Sequence, residues 1–130
     1  MGILKKIWKK FNSGIFYIVD KETLEEYLKR ELNFSIENNL EASANLNIYL
    51  NGEKNHVQVW NHSASKFKSE QEKGIIVYYN DEELNSIEAL FEKKLNNLPD
   101  YFKIELINFG DTFLYEYKKN HPELKIEDYN

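Results

Sequence analysis

The sequence predicts one α+β domain, in which a largely antiparallel sheet of about five to six strands carries two main helices, residues 21–32 and 82–97. A short amphipathic helix at residues 2–11 is expected to precede them. Three observations lead there. A chain of 130 residues fits a single domain, and no repeat or linker interrupts it. Several segments alternate apolar and polar residues with period two, and others repeat apolar residues at helical spacing. The glycines after Gly2 all fall between these segments, so local and global signals agree.

Residues 2–11, GILKKIWKKF, place Ile3, Leu4, Ile7, Trp8 and Phe11 on one helical stripe and four lysines on the other face. Ten residues are too few for a stable isolated helix in water, so this one is expected to dock. Its own domain, a partner and an anionic membrane surface are the alternatives, with Ile7, Trp8 and Phe11 as docking residues. Asn12-Ser13-Gly14 breaks the helix, and Ile15–Val19 reads as a buried strand. Asp20 opens the helix that runs to Leu32, with Leu24, Tyr27, Leu28 and Leu32 inward. Its Glu25/Lys29 and Glu26/Arg30 pairs lie on a solvated outer face.

Phe34-Ser35-Ile36 is a short strand candidate. Leu46, Ile48 and Leu50 alternate with Asn45, Asn47 and Tyr49, and after Asn51-Gly52 the residues Val57 and Val59 alternate with His56, Gln58 and Trp60. Asn-Gly is a strong hairpin signal. A two- or four-residue loop keeps both apolar sets on one face. The four-residue loop is the reading taken here, pairing Ile48 with Val57 and Leu46 with Val59. Residues 61–73 form a long polar loop whose one large apolar residue is Phe67. Residues 75–79 read as a strand, and Asn80 or Asp81 as the cap of the helix 82–97 with Leu84, Ile87, Phe91 and Leu95 buried. Phe102, Ile104 and Leu106 alternate with Lys103 and Glu105. Residues 111–120 read as the return strand of a hairpin, with a helix as the alternative, and 121–130 as a polar tail.

Charge is divided unevenly. Residues 1–11 carry +4, and the remaining 119 carry 13 basic and 22 acidic groups, −9. A body this acidic disfavours general nucleic-acid binding, which needs clustered Lys and Arg at the phosphates. With no cysteine, disulfides, thiolate metal sites and a cysteine nucleophile are excluded. The longest apolar run, Ile15–Val19, is far shorter than the roughly 20 residues of a membrane span. No secretory leader is legible either, so a cytoplasmic protein is expected.

Chemistry is sparse. His56 and His62 are six residues apart on one strand, about 20 Å, too far to share a metal, and His121 sits in a loop. No G-x-S-x-G, Walker or G-x-G-x-x-G pattern occurs. Asp81, Glu82 and Glu83 are explained by a helix cap and first turn. Glu105 and Glu116 are the carboxylates that a fold could bring together for catalysis. No catalytic, metal or cofactor residue is assigned.

What remains is a binding surface. With Leu46, Ile48, Val57 and Val59 inward, Tyr49, His56, Gln58 and Trp60 share the opposite sheet face. Either this face is exposed and recognises protein, or a helix or the amino-terminal segment covers it and Trp60 is core. Glu88 and Glu92, on the outer face of the second helix, form the other candidate surface. In size, acidity and lack of cysteine or catalytic motifs the chain resembles bacterial immunity proteins, and that resemblance implies a non-catalytic inhibitor of a basic, nuclease-like toxin. The alternatives are a peripheral membrane adaptor acting through helix 2–11, and a small enzyme.

Overall fold

A computed structural model describes residues 15–107 and 112–124. Six strands form one antiparallel sheet: β1 (Ile15–Val19), β2 (Ala42–Leu50), β3 (Glu53–Asn61), β4 (Ile75–Tyr79), β5 (Glu82–Leu84) and β6 (Phe102–Leu106). Their order across the sheet is β1-β6-β2-β3-β4-β5. Three helices, α1 (Lys21–Glu37), α2 (Ile87–Lys93) and α3 (Thr112–Asn120), complete an α+β domain. The expected helix at residues 2–11, the Gly110-Asp111 turn and most of the polar tail lie outside the described residues.

The core follows from parity. Tyr17, Val19, Leu46, Ile48, Val57, Val59, Val77, Phe102, Ile104 and Leu106 project from one sheet face into a single buried cluster. Leu24, Tyr27 and Leu28 of α1, Ile87 and Leu90 of α2 and Leu114 of α3 close it from above. All three helices therefore cover the same face. Full burial of an aliphatic side chain contributes about 1.5–3 kcal/mol, so this layer contact is the main stabilising term. Asp20 caps α1, its carboxylate accepting from the Thr23 N–H at 2.8 Å.

Four expectations change. The β2–β3 hairpin turns through two residues, pairing Leu46 with Val57 and Ile48 with Asn55 rather than Ile48 with Val57. Asn51 (φ 51°) and Gly52 (φ 80°) are both left-handed, which is the type I′ turn whose twist matches paired strands. The proposed strand at 34–36 is instead the last turn of α1, where Ser35 donates to the Leu32 carbonyl at 2.7 Å and is buried. The proposed helix 82–97 is divided. Asn80 (φ 48°) and Asp81 (φ 70°) make a second tight turn into β5, and α2 begins only after Ser86, whose hydroxyl accepts from the Ala89 N–H at 3.0 Å. Residues 112–120 are the helix α3 and not a returning strand. Leu114 faces the core, and Arg30 lies over the Phe113 ring at 4.7 Å.

The hairpin gives a direct check. Gly52→Ala forces a Cβ into a left-handed position, and we expect a loss of about 1 kcal/mol in stability by urea denaturation. An unchanged midpoint would show that the turn is not of this type.

Candidate functional site

Residues of opposite parity build the second sheet face. Phe16 and Ile18 come from β1, Lys103 and Glu105 from β6, and Asn45, Asn47 and Tyr49 from β2. His56, Gln58 and Trp60 come from β3, Ile76 and Tyr78 from β4, and Glu83 from β5. Among the described residues no helix packs on this face. Tyr49, His56, Gln58 and Trp60 thus lie together as expected, each half-buried by its neighbours.

The two-residue turn changes who stands beside whom. Tyr49 is opposite Lys54, Asn47 opposite His56, Asn45 opposite Gln58 and Ala42 opposite Trp60. The Tyr49–His56 and Asn45–Trp60 pairs that a four-residue loop would give do not form. His56 still reaches Asn45 diagonally: its Nε2–H donates to Asn45 Oδ1 at 2.6 Å. Its backbone N–H donates to Asn80 Oδ1 at 2.8 Å, so the residue is fixed on both sides. Asn45 thus engages one ring nitrogen, Nε2, and Asn80 anchors the backbone of the same residue.

Sequence reasoning missed the other half of this face. Glu105 at its centre accepts hydrogen bonds from the Tyr49 hydroxyl at 2.8 Å and from Asn47 Nδ2 at 3.0 Å. Phe16 packs on Tyr49 with ring centroids 6.3 Å apart, and the Lys103 ammonium lies 4.6 Å from the Tyr49 ring and 5.2 Å from the Phe16 ring. The parity of β1 and β6 was the available signal, because Phe16, Lys103 and Glu105 each alternate with core residues. At the far end Trp60 stacks on His62, 5.7 Å away with rings within 2° of parallel. His62 is itself buried and donates from Nδ1 to Glu41 at 2.9 Å.

Burial pushes the Tyr49 phenol up to about 12, with the hydrogen bond to Glu105 acting in the same direction. The neutral phenol is therefore a fixed donor at any physiological pH.

Glu88 and Glu92 fall elsewhere. Both are exposed on α2, in the helical layer behind the sheet, where Glu88 approaches Lys29 of α1 at 3.6 Å. The two candidate surfaces are on opposite sides of the molecule. Glu105 and Glu116 are separated in the same way, since Glu116 is exposed on α3. Ile7, Trp8 and Phe11 lie outside the described residues. A cavity of about 440 Å³ on the α1 flank has Glu31 and Glu37 in its lining. Six positions apart on a helix, they diverge by about 120° and do not converge on one reacting atom. Among the described residues no three His, Cys, Asp or Glu side chains cluster as metal ligands, and no helix is long and apolar enough to cross a membrane. Compared with protein families, curated proteins and solved structures, the chain matches none of them.

The raised tyrosine sets an alkaline prediction. The folded Tyr49 keeps its proton up to about 12, whereas an unfolded phenol releases it near 10. Its contribution to stability is complete below pH 10 and is lost as pH rises through 12. We expect Tyr49→Phe to remove a component near 12 from the phenolate absorbance titration. A titration unchanged by that substitution would contradict the hydrogen-bonded geometry.

Proposed function

We propose that this chain is a non-catalytic protein-binding module of the immunity type, which neutralises a basic, nuclease-like toxin by covering it. The observation that carries the reading is the second sheet face, on which no helix packs among the described residues. Aromatic side chains with amide and hydroxyl neighbours are the composition of protein interfaces, where Trp and Tyr anchors supply most of the binding energy. Here Phe16, Tyr49, Trp60 and Tyr78 stand on a rigid sheet, and Glu105 and Asn45 hold the donors in place. A surface ordered before binding loses little side-chain entropy when a partner arrives.

Charge supports the choice of partner. Glu53, Asp81 and Glu83 are exposed along one end and edge of this sheet. Behind them the body of the protein carries −9 over residues 12–130. A basic cleft is attracted along that field and raises its encounter rate, while the aromatic face decides how long it stays. The glutamates of α2 take the steering role in this reading. They face away from the sheet surface, and one interface of standard size does not wrap both sides of a domain.

The two roles separate experimentally. Protein captured from the native host on the immobilised chain should be basic and stoichiometric. Trp60→Ala should weaken that complex by about 2 kcal/mol or more, roughly thirtyfold, mainly through faster dissociation. Reversing Glu88 and Glu92 to lysine should slow association at low salt and leave dissociation unchanged. The reading fails if no basic partner is retained, or if the charge reversal and not Trp60→Ala abolishes the complex.

A further inference from the structure

We infer that β1 is a self-association edge, at which two copies of this chain pair β1 to β1, antiparallel about a twofold axis through Tyr17. The inference rests on where the backbone groups of β1 point. The Ile107 N–H donates to the Asn45 carbonyl at 3.1 Å, one step beyond the β2–β6 ladder. Because bonded residues of an antiparallel strand alternate between its two sides, Lys103, Glu105 and Ile107 bond toward β2, and Phe102, Ile104 and Leu106 toward β1. Their partners in β1 are Val19, Tyr17 and Ile15. Phe16 and Ile18 therefore turn N–H and C=O outward, beyond the edge of the sheet. An independent contact agrees: the Lys118 ammonium reaches the Phe16 carbonyl from outside at 3.4 Å.

Among the described residues no strand lies beyond β1. The two edges of the sheet differ. At the far edge β5 has three residues, two of them glutamates, a length and charge that block pairing. The β1 edge is Ile-Phe-Tyr-Ile-Val, without charge, proline or glycine, and Ile15 and Phe16 are 40% and 38% exposed. A second copy fits it residue by residue. With Tyr17 on the axis, Phe16 of one copy meets Ile18 of the other as a hydrogen-bonded pair, and the twofold repeats it. The four outward groups of each copy then find four complementary groups on the other. Every cross-strand neighbour is apolar, Ile15 against Val19 and Phe16 against Ile18, so no like charges oppose. The contact is isologous and closes at two copies. Lys118 competes for one carbonyl and holds the affinity down, as an edge lysine does.

Sedimentation equilibrium of the pure full-length chain tests this with no toxin or other partner present, so its failure is distinct from failure of the inhibitor reading. The average mass should climb toward twice the monomer with concentration. Lys118→Ala, an exposed substitution, should shift the transition to severalfold lower concentration, and Ile18→Pro should abolish it. Hydrogen exchange on the wild-type chain keeps the test independent of variant folding. The Phe16 and Ile18 amides should slow as concentration rises. Overturning results are a wild-type chain and a Lys118→Ala variant that both stay monomeric at millimolar concentration, or association without slowing at those two amides.

Discussion

Period-two alternation in the three central strands β2, β3 and β6 is the constraint on which the rest of the molecule depends. It sends Leu46, Ile48, Val57, Val59, Ile104 and Leu106 to one face, each at 1% exposure or less. That face is wide and apolar enough to bind three helices. The same alternation sends Asn45, Asn47, Tyr49, His56, Gln58, Lys103 and Glu105 to the other. A one-residue slip in any of these strands would exchange the two sets and place carboxylate and amide groups in the core, at several kcal/mol each. The core and the polar, aromatic second face are thus consequences of one register.

The second face has its own internal order. Glu105, one strand in from the β1 edge, accepts from Tyr49 and Asn47, while His56 fixes Asn45. Lys103 lies over both the Tyr49 and Phe16 rings. Each of these contacts restrains side chains that would otherwise be free to rotate, so the surface is ordered in advance. Its histidine is held through Nε2 and its backbone N–H, and Glu105 accepts from a phenol and an amide.

Much of this was legible in the sequence because parity survives errors of register. Leu46, Ile48, Val57 and Val59 keep one face under either hairpin loop, so the grouping of Tyr49, His56, Gln58 and Trp60 was secure although their pairings were not. What separates the loops is backbone conformation at Asn51 and Gly52, a property of two residues that alternation does not report. Residues 82–97 misled for a related reason. Leu84, Ile87, Phe91 and Leu95 have helical spacing and are all buried, yet Leu84 reaches the core from a strand and Leu95 from beyond the end of α2. The Asn80-Asp81 turn, left-handed at both residues, starts the strand that takes Leu84 out of the helix, and its tolerance for asparagine was the local clue. Phe34-Ser35-Ile36 is apolar at its ends but too short to outweigh the helix running into it. The half of the surface contributed by Phe16, Tyr78 and Glu105 required strand order, which depends on contacts distant in sequence.

Side-chain footprinting of the free, full-length chain tests the central claim most directly, because it asks whether one sheet face is covered and the other is open. Hydroxyl-radical labelling should modify Phe16, Trp60 and Tyr78 readily and leave Phe102 and Phe91, both buried between the sheet and its helices, nearly unlabelled. Labelling of Phe16, Trp60 and Tyr78 as slow as that of Phe102 would mean that the second face is also covered, and the account of a one-sided sheet presenting a recognition surface would be wrong.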